Sequence, residues 1–256
     1  MLDAACGEGY GTALLATVAA SATGVDVSPQ AIEHAKARYS SDSLEFRLAD
    51  CLALPFEDDE FDCVVSFETL EHLENHDGLM TEFRRVLKPD GFLLLSSPDK
   101  AIYTDLQKNE NEFHLRELYR EEFETLLGKY FPAFRLLGQK LVFQSAIWSL
   151  GEAGSVKFHQ ENNGLVETNP ELNHAPLYLI AICAADESCL PRSQPGLSLF
   201  DDAGESVYEH YYQEIRKHVA AGEMLAAKEQ ELAELRAELD SRRSGPGWWS
   251  RWFGKS

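Results

Sequence analysis

Short apolar segments rich in β-branched residues alternate with stretches of helical period along most of the chain. Residues 1–5, 22–26, 44–48, 61–67, 91–96, 134–141 and 177–184 read as strands, and helical patterns fall at 10–19, 29–39, 78–87 and 120–131. In the last helix Phe123, Leu126, Leu127, Tyr130 and Phe131 stand at i, i+3, i+4, i+7 and i+8, a stripe that should face a sheet. Ser28 before Pro29 starts the second helix, because a serine hydroxyl satisfies free amides and the fixed φ of proline suits the first helical position. Pro89-Asp90-Gly91 is a turn signal that ends the third. The alternation predicts an α/β fold, a mostly parallel sheet with helices on both faces, over residues 1–185.

The pattern then changes. Residues 150–175 are mostly polar and rich in Gly, Asn and Glu, and read as an insertion between the last two strands. Residues 186–204 hold Pro191, Pro195 and Gly196 without a sustained period and read as a linker. Residues 205–243 contain no proline and are rich in Ala, Glu, Leu, Lys and Arg, which predicts one helix of roughly 58 Å with Gly222 as its weakest position. Leu225, Leu232, Leu235 and Leu239 occupy a and d heptad positions while Lys228 interrupts the seam. A coiled-coil homodimer and a helix solvated or packed on its own domain both fit. In the tail, 244–256, Trp248, Trp249, Trp252 and Phe253 interleave with Arg251 and Lys255; weak contact with a membrane surface and an end without a docking role are both open.

A formal charge of −20 argues against a nucleic-acid partner, since such binding draws on Lys and Arg neutralising phosphates. The five cysteines form no CxxC pair, which disfavours a zinc cluster and a disulfide framework and suits a reducing cytosol. No apolar run approaches the ~18 residues of a membrane span. A cytoplasmic protein is expected, peripheral to the inner membrane surface if the tail docks there.

The strongest chemical signal is Leu2-Asp3-Ala4-Ala5-Cys6-Gly7-Glu8-Gly9-Tyr10-Gly11, at a strand-to-helix turn. Its glycines let the backbone approach a ligand closely, and the first amides of the helix can receive an anionic group. A dinucleotide fingerprint would need a small residue where Thr12 stands, and Asp3 suits a cationic amine better than a pyrophosphate. Asp26 ends the second strand, where a carboxylate can accept both hydroxyls of a ribose or cap the next helix. Asp50 follows the third strand and can accept the exocyclic amine of an adenine or serve as a plain loop residue.

Together with Phe61-Asp62-Cys63-Val64-Val65-Ser66-Phe67-Glu68-Thr69-Leu70-Glu71-His72-Leu73 and Arg85-Val86-Leu87-Lys88-Pro89-Asp90-Gly91-Phe92-Leu93, these segments resemble class I S-adenosylmethionine-dependent methyltransferases of the type 11/12 kind. The resemblance covers about residues 1–185. It implies a Rossmann-like seven-stranded sheet of order 3-2-1-4-5-7-6 with the seventh strand antiparallel, and S-adenosylmethionine as cofactor. It places Asp3, Gly7 and Gly9 at the methionine part, Asp26 at the ribose, Asp50 with Cys51 at the adenine, and Ser66 and Phe67 as backbone and wall near the sulfonium. Members of the family have a longer first strand preceded by helices, so a truncated first strand is expected here.

Methyl transfer is an in-line displacement in which the protein mainly positions the reactants. A hydroxyl acceptor gains from a general base, and His114 and His72 are the candidates, each also readable as a structural hydrogen-bonding residue. Glu68, Glu71, His72 and His76 suggest a metal site only if their loop is helical, and with no firm third ligand none is expected. Residues 111–118 and the helical tail resemble methyltransferases of glycan and surface-polysaccharide assembly, which implies O-methylation of a sugar hydroxyl; other small-molecule hydroxyls and a quinone-type metabolite are the alternatives. A reading of another class is a non-catalytic assembly protein whose degenerate methyltransferase domain presents the long helix to a partner.

Overall fold

The computed structural model describes residues 1–108, 111–142, 144, 147, 156–162, 165–172, 174–192, 196–199 and 206–244. The chain divides into two compact units, Met1–Arg192 and Ser193–Ser256. In the first, β1 (Leu2–Ala4), β2 (Ala22–Asp26), β3 (Leu44–Leu48), β4 (Phe61–Ser66), β5 (Leu87–Pro98), β6 (Ala133–Gln139) and β9 (Tyr178–Ala184) form a seven-stranded sheet of order β3-β2-β1-β4-β5-β9-β6. The first five strands run parallel, and β9 lies antiparallel between β5 and β6. β9 is the seventh strand of this sheet in chain order, so the arrangement is the one that the resemblance implied.

The strands hold because their inward side chains are apolar. Leu2, Val64, Leu93, Leu95, Ala181 and Cys183 share one buried cluster with Leu79, Met80, Phe83 and Val86 of α3 (His76–Val86) and Phe123 and Leu127 of α4 (Arg120–Tyr130). Burying each large apolar side chain is worth about 1.5–3 kcal/mol. A separate cluster of Ile32, Ala35 and Phe46 holds α2 (Pro29–Arg38) to the sheet. The Ser28 hydroxyl accepts from the Ala31 amide to open α2, and Asn75 Oδ1 accepts from Gly78 N at 2.9 Å to open α3.

Several elements differ from the sequence reading. Helix α1 (Tyr10–Leu15) is shorter than the 10–19 pattern, and its end dissolves into turns in which Thr17 N bonds Leu14 O and Val18 N bonds Leu15 O. Pro89-Asp90-Gly91 is not a turn between helix and strand but part of β5. Pairing jumps from Phe61 with Leu87 to Cys63 with Phe92, so the signal marks a bulge. A Cβ at Gly91 would stand 2.9 Å from the Asp62 carbonyl oxygen, which is why a glycine sits there. Within the polar insertion, β7 (Phe158–Asn162) and β8 (Leu165–Asn169) form a two-stranded antiparallel hairpin apart from the main sheet.

In the second unit, α5 (Ser206–Ser244) is continuous through Gly222, and Leu225, Leu232, Leu235 and Leu239 are all exposed along it. The Trp and Arg tail lies outside the described residues. Among the described residues no helix is long and apolar enough to cross a membrane.

Candidate active site

In an open parallel sheet the carboxyl ends of the strands form one rim, and ligands settle where the strand order reverses. Here that point is β1, with β2 on one side and β4 on the other. The rim carries Ala5–Gly9 after β1, Asp26 at the end of β2, Asp50 after β3, and Ser66–Glu71 after β4.

The glycine turn and the β2 carboxylate are locked together. Gly7 N donates to Asp26 Oδ2 at 2.9 Å, and Ser28 N donates to Asp26 Oδ1 at 2.8 Å. A carboxylate offers about four lone-pair sites, so two remain for hydroxyl donors. Gly7 and Gly9 have φ of +53° and +85°. They differ in surroundings: a Cβ on Gly7 would meet nothing within 4 Å, whereas one on Gly9 would stand 2.7 Å from Ala35 Cβ and from the Phe46 ring. Gly9 therefore lets α1 close onto α2 and β3, and Gly7 keeps the rim open.

Asp3 is buried and accepts the Thr12 hydroxyl at 2.6 Å. Burial raises its pKa, the Thr12 bond opposes that, and the nearby Asp26 charge adds to it. Asp50 is exposed and accepts from Leu52 N through Oδ1, and the Asp26 carbonyl accepts from Ala49 N, which ties the β3 loop to β2. The Cys51 side chain lies in the core, where burial pushes its thiol up to about 12, so the side chain itself is turned away from the rim. Ser66 is fully buried and its hydroxyl has no partner among the described residues, while Phe67 is half exposed. A carboxylate with free lone pairs, an open glycine and an orphaned strand-end hydroxyl along one rim fit a nucleoside with a cationic amino-acid tail.

The rim beyond Phe67 is built from segments far apart in sequence. Glu68 adopts φ of +52°, held by Ser96, whose hydroxyl accepts from Glu68 N at 2.9 Å and donates to Glu68 Oε1 at 2.6 Å. A 3-10 turn, Leu70–His72, then places Glu71 and His72, and the Glu71 carbonyl accepts from Leu115 N and Arg116 N. This brings the two predicted histidines together, with ring centroids 5.0 Å apart. His72 Nδ1 donates to Phe113 O at 2.8 Å, and His114 Nδ1 donates to Glu117 Oε1. A π-helical turn, Ala101–Leu106, stacks Tyr103 on His114 at 5.3 Å, and Tyr178 of β9 stands 5.9 Å from Tyr103.

Glu71 is only 1% exposed and neither carboxylate oxygen has a hydrogen-bond partner among the described residues. Burial, reinforced by the charges of Glu68 and Glu117, pushes it up to about 8. His76, weighed with His72 as a metal pair, is buried at the start of α3, where desolvation and Arg116 lower its pKa. Glu117, Tyr103, Tyr178 and Ser96 were not read as site residues. Only the i, i+3 spacing of His114 and Glu117 carried a signal in the sequence. A shallow hollow lined by Ala13, Ala16, Thr17, Arg38, Tyr39 and Leu44 shares no residue with this rim.

The sheet order of the first unit is that of a class I methyltransferase fold. Residues 2–95 match the family described as "Methyltransferase domain". It is 37% identical over 128 residues to a protein of Mycolicibacterium smegmatis named "Probable S-adenosylmethionine-dependent methyltransferase", across 50% of this chain and 49% of that one. It is also 33% identical over 101 residues to the O-methyltransferase cnsE of Penicillium expansum, across 38% of this chain and 37% of that one. A solved S-adenosylmethionine-dependent methyltransferase of Thermotoga maritima shares the fold, with a TM-score of 0.51 at 18% identity over 72% of this chain and 81% of that one. The chain thus spans about half the length, or less, of the curated relatives it matches.

Proposed function

We propose that this chain transfers the methyl group of S-adenosylmethionine to a hydroxyl of a small molecule or glycan. The observation that carries the reading is the joining of two half-sites at Ser66–Glu68: the Gly7 and Asp26 turn on one side, the His72 and His114 pair on the other. S-adenosylmethionine, when bound, supplies an electrophilic methyl on a sulfonium. Asp26 offers its remaining lone pairs to the ribose, Asp50 to the adenine amine, and Asp3 with Gly7 and Gly9 receives the methionine end. Phe67 walls the donor, and Tyr103 and Tyr178 exclude water from the acceptor.

His114 is the proposed base, with His72 the second candidate. Its Nδ1–H is fixed by Glu117, which leaves Nε2 bare to take the hydroxyl proton and stabilises the imidazolium that forms. The likeness to an enzyme named as an O-methyltransferase supports oxygen as the acceptor atom.

Calorimetric titration with S-adenosylmethionine tests the donor half. Saturable binding to the wild type, weakened at least tenfold in Asp26→Ala, is expected, and absence of binding by the wild type would sink the proposal. For the acceptor half, label transfer from methyl-tritiated S-adenosylmethionine to a panel of sugars, phenols and quinols is compared between the wild type, His114→Ala and His72→Ala. Near-native turnover in both variants would remove the base.

A further inference from the structure

Three carboxylates, Glu68, Glu71 and Glu117, surround the two histidines, and among the described residues no lysine or arginine forms an ion pair with any of them. A buried carboxylate that neither hydrogen-bonds nor meets a cation is costly, and proteins rarely keep one without a use. Glu71 is such a group. Its Oε1 lies 3.9 Å from His72 Nε2, and one ligating atom from each of Glu71, His72 and His114 lies within 4.8 Å of the others.

The histidines are prepared as ligands are. A metal-bound imidazole donates its second ring N–H to a carboxylate or a backbone carbonyl, which fixes the tautomer and turns the bare nitrogen to the ion. His72 gives Nδ1–H to the Phe113 carbonyl and His114 gives Nδ1–H to Glu117, so in both rings Nε2 is the nitrogen without a hydrogen-bond partner among the described residues. Glu117 is held in turn by the Thr104 hydroxyl at 2.5 Å. Ligating atoms around a tetrahedral ion stand about 3–3.5 Å apart. Closing from the present spacing takes small rotations of side chains, His72 being exposed at its outer face.

We infer that Glu71, His72 and His114 bind a divalent first-row transition ion of the zinc and manganese class, with Glu117 and the Phe113 carbonyl as the groups that orient the two rings. Two imidazoles exclude a site suited to magnesium or calcium, which prefer oxygen throughout. Three protein ligands leave a position open, as in catalytic rather than structural sites. Its place beside Phe67 and Glu68 makes a hydroxyl oxygen of the acceptor the ligand for that position. A bound ion would take Nε2 of both rings, so in the loaded protein the ion, by lowering the pKa of that hydroxyl and letting its proton leave to solvent, would stand in place of His114 as the base. In naming that oxygen the inference rests on the functional reading above; the ion site itself does not. The sequence expectation of no metal rested on the lack of a third ligand beside His72 and His76. The fold supplies it as His114, and His76 belongs elsewhere.

The test uses the full chain, stripped with a chelator and dialysed. Zn2+, Mn2+ and Mg2+ are titrated separately by calorimetry, and Co2+ is added as a spectroscopic probe of the ligand field. One Zn2+ or Mn2+ per chain is expected, with affinity lowered at least tenfold in His72→Ala, His114→Ala and Glu71→Gln, and lowered about 10–100-fold in Glu117→Gln. His210→Ala, on α5, should bind as the wild type does. Circular dichroism confirms that each variant is folded, and Glu71→Gln keeps the shape of the side chain if an alanine variant does not fold. No saturable binding, binding of Mg2+ alone, or binding unchanged in the His72→Ala/His114→Ala double variant would overturn the inference. S-adenosylmethionine titrated into the same samples reports separately: metal binding without donor binding would refute the methyltransferase reading and leave the ion site standing.

Discussion

Gly7 and Gly9 share a left-handed backbone and nothing else, so replacing each with alanine should separate stability from ligand binding. An L-residue in that region costs about 1–2 kcal/mol, and both variants carry this cost. At Gly9 the new Cβ would also stand 2.7 Å from Ala35 Cβ and from the Phe46 ring, neither of which is a flexible tip able to swing away. Overpacking of this kind adds about 1–3 kcal/mol. Gly9→Ala should therefore lose about 2–5 kcal/mol in all, a drop of order 10 °C in melting temperature for a unit of this size. Gly7→Ala should lose only the backbone part, because its Cβ meets nothing within 4 Å. That space is the place proposed for the donor, so Gly7→Ala should weaken S-adenosylmethionine by at least tenfold, about 1.4 kcal/mol. Urea unfolding and calorimetric titration of the two variants side by side decide it. Equal stabilities, or donor binding that survives Gly7→Ala, would refute the division of labour.

Arg85 joins α3 to the loop after β3, donating to the Leu54 and Phe56 carbonyls and pairing with Glu82 and Asp58. Arg85→Ala strands those carbonyls and should cost about 2–4 kcal/mol by urea unfolding, with donor affinity unchanged. Asp3→Asn should move the two properties in opposite directions. Burial raises the folded pKa of Asp3 above its unfolded value, so the ionised group destabilises the fold at neutral pH, and that penalty fades as pH falls through the folded value. The variant should melt higher than the wild type at pH 7 and converge with it in acid while binding S-adenosylmethionine more weakly; a gain that persists undiminished in acid would show that charge is not its cause. Ser96→Ala removes both bonds that hold Glu68 at positive φ and should lower methyl transfer with little change in donor affinity, read as kcat against KM for each substrate.

The fold was legible because its signals are local. An apolar stripe in α4, a serine and proline opening α2, and the strand-loop-helix arrangement around Gly7–Gly11 each sit within a few consecutive residues. What escaped was set by contacts across the sheet. Pro89-Asp90-Gly91 is a turn by composition, yet β4 continues alongside it and draws the three residues into β5 as a bulge, with Lys88 pairing to Asp62 at 2.8 Å. The hairpin of β7 and β8 carries polar residues on a strand period, and with no apolar face toward the core its alternation gave no sign.

The site divides along the same line. The proposed donor half lies in motifs that each close within one strand and the loop after it, so Asp3, Gly7, Asp26 and Asp50 could be proposed by position alone. The acceptor half exists only once the chain has folded back: His72 bonds the carbonyl of a residue 41 positions away, and His114 takes its orientation from Glu117 and its stacking from Tyr103. A reader of the sequence sees Glu71 as one acidic residue beside a histidine and has no reason to expect it buried. Burial turns it from a solvated charge into a group that must either hold its proton or meet a cation. Among the described residues neither of its oxygens has a hydrogen-bond partner, and with two imidazole nitrogens close by this favours the cation. The same reading accounts for His72 and His114 meeting edge to face, their planes 83° apart, on a rim where a single base would have sufficed.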